Sequence, residues 1–148
     1  ETYKVLSAKE IDSRYTVKLE NYGKRVAIEA RVAIEMARTG VIPAALSYLQ
    51  RITSVRAALS SASAAEPVSE LERAVLELFA RTQKSVKKLE ESLRAAHGAN
   101  GVAGEAEHFR TLVIPAMVEL RTAADGLEQI VDDDLWPYPK YREMLFHA

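Results

Sequence analysis

Residues 7–37 read SAKEIDSRYTVKLENYGKRVAIEARVAIEMA, and this stretch decides the fold class. Ser7 followed three residues later by Glu10 is a capping box. The serine oxygen can accept from the glutamate's amide, and the glutamate can reach back to the serine's own amide. Ile11, Tyr15, Leu19, Tyr22, Val26, Ala30, Ala33 and Ala37 then recur at helical spacing. From Val26 to Ala37 only Glu29, Arg31 and Glu35 interrupt the apolar residues. A helix apolar nearly all round is expected to be surrounded by other helices.

Working outward, Gly40 and Pro43 predict a kink or restart, because proline lacks an amide donor and clashes with the preceding turn. Ile42, Leu46, Leu49, Ile52, Val55 and Leu59 carry a second apolar run, and residues 60–67 read as a turn or short linker. The next helix is predicted from about Ser69 to His97, with Leu71, Val75, Leu78, Phe79, Thr82, Val86, Leu89 and Leu93 as its stripe. Glu77 with Arg81, Lys87 with Glu91, and Glu90 with Arg94 are spaced for ion pairs on its solvated face. Residues 97–104, with glycines at 98, 101 and 104, read as a flexible loop. A last long helix is expected from about Glu105 to Val131, with Pro115 marking a second kink. Val41-Ile42-Pro43-Ala44 echoes Val113-Ile114-Pro115-Ala116, so the two helices are expected to kink at matching levels and to pack there. Nothing alternates like a strand. Long helices joined by short connections predict an all-α fold: an elongated, antiparallel up-and-down bundle of three to four proline-kinked helices, forming one domain over residues 1–148.

Composition narrows the function. With 48% hydrophobic and 28% charged residues the chain is of globular type, and a net charge of -1 gives no general pull on nucleic acid or an anionic membrane. No apolar run reaches the roughly 18 residues that span a bilayer. The absence of cysteine excludes disulfides and thiolate metal sites and fits a reducing cytoplasm. The chain opens on Glu1 rather than Met, with a short lead-in to a capped helix, and is expected to be cut from a longer protein.

The reactive side chains do not converge in sequence. Glu105-x-x-His108 has the spacing of half a di-iron site, but a ferritin-like enzyme needs a second copy and two more inward glutamates. At a helix start these residues are expected to serve the dipole. Glu29 lies on the apolar arc, where an ion pair with Arg25 or an arginine of a neighbouring helix would satisfy it. The three glycines lack the lysine and hydroxyl of a phosphate loop. Asp132-Asp133-Asp134 is expected to be a hydrated surface patch rather than a cation site. Hence no catalytic, cofactor-binding or metal residues are assigned. Trp136, Tyr138, Tyr141 and Phe146 concentrate aromatic area in a proline-stiffened tail, which should staple onto its own bundle or onto another domain or subunit. These four are the interface candidates.

Three segments together resemble one family. They are Ala37-Arg38-Thr39-Gly40-Val41-Ile42-Pro43-Ala44-Ala45-Leu46, then Glu107-His108-Phe109 through Pro115-Ala116-Met117 with Arg121, Asp125 and Leu127-Glu128, and finally Asp134-Leu135-Trp136-Pro137-Tyr138-Pro139-Lys140-Tyr141 with Glu143-Met144-Leu145-Phe146. Ser13-Arg14-Tyr15 fits as well. In this order they are similar to the C-terminal helical region of type III glutamine synthetase, the large-subunit bacterial form. The resemblance implies a parent enzyme that joins glutamate and ammonia using ATP and a divalent metal, Mg or Mn. It implies stacked hexameric rings, with the substrate and metal residues in an upstream catalytic domain that has no counterpart here. The expected role is non-catalytic: support of that catalytic domain and of contacts with neighbouring subunits in a homo-oligomer. The rival expectation is a free-standing helical interaction or sensor module.

Overall fold

The computed structural model describes residues 5–145, the side chains of residues 62–64 and 141–142 excepted. The described residues are helical and carry no strand. The helices are α1 (Ala8–Met36), α2 (Ile42–Ala58), α3 (Ala62–His97), α4 (Gly101–His108), α5 (Ile114–Ile130) and α6 (Tyr141–Met144). One π-helical turn, Ala37–Val41, joins α1 to α2, and a second, Phe109–Val113, joins α4 to α5. The chain thus forms three rods: α1–α2, α3 and α4–α5.

Side-chain bridges fix their directions. Glu72 of α3 meets Thr53 and Arg56, and Glu90 meets Arg38, so α3 runs antiparallel to the first rod. Lys88 meets Glu119 and His97 meets Glu105, so the third rod runs antiparallel to α3. The rods bury one apolar cluster around Val26, Ala30, Leu89, Phe109 and Leu120. A second lies around Val41, Leu49, Val75 and Leu127. The first π-turn crosses between them, with Ala37 in one and Val41 in the other. α3 is 36 residues long, or about 54 Å at 1.5 Å per residue, so the bundle is elongated.

Both π-turns stand directly before an Ile-Pro pair. Pro43 cannot bond to the carbonyl four residues back, and its ring crowds that carbonyl. The turn widens instead, and the Ile42 amide donates to the carbonyl of Ala37, five residues back. Ile114 donates to Phe109 in the same way before Pro115. Each turn also has a threonine bonded to a carbonyl four residues earlier, Thr39 to Glu35 and Thr111 to Glu107, both at 2.8 Å.

Several sequence expectations need correction. α1 is not surrounded: Ile28, Val32 and Met36 form an exposed stripe on its back, and Glu29 faces solvent rather than the core. Ile11 and Tyr15 are exposed, so the core begins only near Tyr22. α3 starts at Ala62, not near Ser69, and takes Pro67 into its second turn. The glycine loop shrinks to residues 98–100, because α4 already begins at Gly101. Gly101 has φ +74, a conformation that disfavours any residue with a Cβ. Glu90 bridges to Arg38 at 2.7 Å instead of pairing with Arg94. Among the described residues no ion pair joins Glu77 to Arg81 or Lys87 to Glu91. The two π-turns do not sit at matching levels either. The first packs on α5 and the second on α1 and α3, because the first and third rods run parallel but offset.

Candidate functional site: the tail lock and the α1–α4 cleft

The aromatic tail returns to its own bundle. After α5, Asp132 accepts from Arg51 at 2.6 Å and from the amide of Asp134 at 3.1 Å, which turns the chain. Asp133 takes the ammonium of Lys140, which also donates to the carbonyl of Val131 at 3.2 Å. The aspartate run therefore anchors the tail, and its first two carboxylates are not a free hydrated patch. Leu135, Trp136 and Tyr138 then pack against the second apolar cluster. The Tyr138 hydroxyl donates to the carbonyl of Met36 at 3.0 Å, at the start of the first π-turn. The ring lies across Gly40, where an added Cβ would stand 2.7 Å from Tyr138 Cζ. Of the four interface candidates, Trp136 and Tyr138 are thus half-buried against the domain itself. Tyr141 opens α6, but its side chain, like the whole of Phe146, lies outside the described residues.

At the other end, α3 and α4 meet in a polar elbow. His97 Nδ1 lies 2.9 Å from Glu105, and its Nε2 lies 3.5 Å from Arg31 Nη2. The His97 ring stands edge-on to Phe109, with centroids 5.5 Å apart. His108 Nδ1 is 3.2 Å from the carbonyl of Ala95. A carbonyl only accepts, so that nitrogen carries the proton. Glu105 and His108, the pair with metal-ligand spacing, therefore reach different partners at the end of α3. Glu107 is held on the surface by Arg110 at 2.7 Å. That hydrogen bond lowers the Glu107 carboxyl below its ordinary range and raises the Arg110 guanidinium. Glu10 is lowered too, first by the backbone amide of Ser7 at 2.7 Å and then by its hydroxyl.

Between α1 and α4 runs an open cleft of about 520 Å³. Leu19, Gly23, Ala27, Val102 and Ala106 form its apolar surface, and Glu20, Lys24, Arg31 and Glu105 stand among them as charges of both signs. Gly23 lets the Phe109 ring approach, since an added Cβ would lie 3.2 Å from Phe109 Cε2. Among the described residues no three His, Asp or Glu side chains are grouped to hold a metal ion. The described residues therefore offer no donor set for the divalent metal that the resemblance implies for the parent enzyme. No helix of the described residues is long and apolar enough to cross a membrane.

The sequence alone assigns no role to Gly23 or His97, and it marks Gly40 and Arg38 only as a kink signal and as part of the family-resembling segment, not as a packing joint or a bridge. One signal for the first π-turn was available: the echo extends upstream to Arg38-Thr39 and Arg110-Thr111. Gly23 carried no comparable signal, because the partner ring that makes it necessary is 86 positions away.

These features define an all-α packing domain: two parallel rods antiparallel to α3, locked at one end by a carboxylate-anchored aromatic tail. Residues 1–60 match the family described as glutamine synthetase C-terminal domain. Relatives extend the match along nearly the whole chain. A type-3 glutamine synthetase of Dictyostelium discoideum is 32% identical over 153 residues, covering 96% of this chain and 20% of that protein. A glutamine synthetase of Bacteroides fragilis is 29% identical over 150 residues, covering 97% and 21%. One of Butyrivibrio fibrisolvens is 30% identical over 146 residues, covering 96% and 21%. The chain belongs with the C-terminal domains of glutamine synthetases, of type III. It spans about a fifth of the length of the curated relatives it matches.

Proposed function

We propose that this chain is a non-catalytic domain of a cytoplasmic glutamine synthetase, supporting the catalytic part and the assembly of subunits. Ligation of glutamate and ammonia with ATP and Mg or Mn would take place on the preceding part of such an enzyme. The observation that carries this reading is the use to which the polar side chains are put. Glu72, Glu90, Glu105 and Asp132 each bridge one helix or the tail to another segment. They order rods rather than converge on a substrate. A domain of this kind acts by presenting surface, and α1 carries exposed apolar surface.

Removal of the domain from a full-length synthetase tests the proposal. The expected result is an assembly of fewer subunits by light scattering, after allowing for the deleted mass, or a lower melting temperature. The 148-residue chain alone should show no metal-dependent ATP turnover with glutamate and ammonia. Turnover by the isolated chain would overturn the reading. So would a shortened enzyme with an unchanged number of subunits, melting temperature and activity.

A further inference from the structure

The first turns of α1 run past the end of the bundle. From Ala8 to Lys18 every residue except Thr16 is exposed, whereas the cleft between α1 and α4 is lined on α1 from Leu19 onward. This projecting segment is a specified helix rather than a frayed end, because Ser7 and Glu10 close a complete capping box at its tip. Its apolar residues are ordered too. Ile11, Tyr15, Leu19, Gly23 and Ala27 are each four apart and form one ridge of the helix. The last three line the α1–α4 cleft. The first two, 55% and 58% exposed, carry the ridge outward.

We propose that this ridge and the cleft it runs into seat a protein segment from the preceding part of the glutamine synthetase polypeptide. The inference rests on the function proposed above and names the surface that does the docking. Three observations select the occupant. The relatives are about five times longer than the chain and this family is a C-terminal domain, so in such enzymes the rest of the polypeptide reaches the domain at the α1 end. The ridge grades from bulky to small, Ile11 and Tyr15 to Gly23 and Ala27, which gives a projecting edge followed by a recess that an apolar side chain can fill. The charges beside the recess alternate in sign, Glu20 with Lys24 and Arg31 with Glu105, as at the rim of a protein interface. An anionic membrane or a nucleic acid would call for a single positive sign.

Hydrogen exchange compares the full-length synthetase with the 148-residue chain, the latter at a concentration where light scattering shows monomer. Amides of residues 8–21 should exchange at least about tenfold more slowly in the full-length enzyme, as expected when a locally opening segment is covered. Ile11→Asp with Tyr15→Asp in the full-length enzyme should restore the fast exchange. Val17→Asp, on the opposite side of the same helix, should not. Equal rates in the two wild-type proteins overturn the proposal, and so does protection that appears in the isolated chain only as its concentration rises, which would make the occupant a second copy. Identical behaviour of the two variants overturns it as well. If deleting the whole domain dissociates the enzyme while the Ile11 and Tyr15 variant leaves protection intact, the surface is wrong and the assembly role stands.

Discussion

The ring of Tyr138 lies where a side chain at residue 40 would be, and its hydroxyl donates to the carbonyl of Met36 at 3.0 Å. Gly40 and Tyr138 are thus two halves of one joint. The glycine clears space inside the first π-turn, and the tyrosine fills it from the tail, 98 positions along the chain. The joint ties the C-terminal motif to the place where the first rod passes from one apolar cluster to the other.

Gly40→Ala should therefore cost more than a helix-propensity argument allows. Alanine favours a helix over glycine by about 1 kcal/mol, yet here its methyl would collide with the Tyr138 ring. Overpacking of this kind costs about 1–3 kcal/mol, so the net effect is expected to be destabilising. Tyr138→Phe should cost about 0.5–1.5 kcal/mol through the lost hydrogen bond. In urea unfolding, Gly40→Ala should be nearly harmless once Tyr138→Ala has emptied the site, which a double-mutant cycle reads as coupling. Additive costs would show that the two residues do not form one joint.

The tip of α1 should loosen in acid. The Ser7 amide and hydroxyl hold the Glu10 carboxyl below its ordinary range. A carboxylate whose pKa is lowered by folding contributes stability that is fully present above its unfolded pKa. That contribution is lost as the pH falls through the lower, folded value. Ser7 and Glu10 amide resonances should move together in that acid window. In Glu10→Gln, which keeps the hydrogen-bonding shape without the titration, the movement should vanish. An unchanged acid shift in that variant would assign the effect to another group.

Phe109 is fully buried, packs over Gly23 and stands edge-on to His97. It closes the first apolar cluster at the second π-turn. Phe109→Ala should cost about 3–5 kcal/mol in urea unfolding, the usual price of removing a buried aromatic ring. Leu112, in the same turn but exposed, should lose only a few tenths of a kcal/mol as Leu112→Ala. Equal losses at the two positions would mean that this turn does not bury Phe109 as described.

How much of this was legible in the sequence depends on the range of the interaction. The capping box, the apolar stripe of α3 and the two proline interruptions are local, and each stands where periodicity and backbone chemistry put it. The linker at residues 60–67 misled because serine, alanine and proline signal a turn, whereas α3 takes Pro67 into its second turn. Ile11 and Tyr15 continue the stripe of the core in sequence, and only the length of the partner rods leaves them uncovered. Gly40, Gly23 and His97 acquire meaning from partners tens of positions away, which no local pattern encodes.

Ala37, Val41, Ala45 and Leu49 are all buried although each is four residues from the next. In a plain α-helix every step of four overshoots the face by about 40°, so three steps would carry Leu49 about 120° away from the core. The wide turn absorbs the excess by enclosing one extra residue, and the apolar face of α2 stays in line with that of α1. Deleting Thr39 should therefore convert the turn to an α-helical one without rotating α2, but only if the ring at Pro43 no longer forbids the restored bond. The deletion combined with Pro43→Ala should keep a cooperative helical fold by circular dichroism and urea unfolding. The deletion alone should be less stable by about 3 kcal/mol, the cost of proline within a helix. If Pro43→Ala brings no recovery, packing around Gly40 and Tyr138 rather than the proline imposes the wide turn.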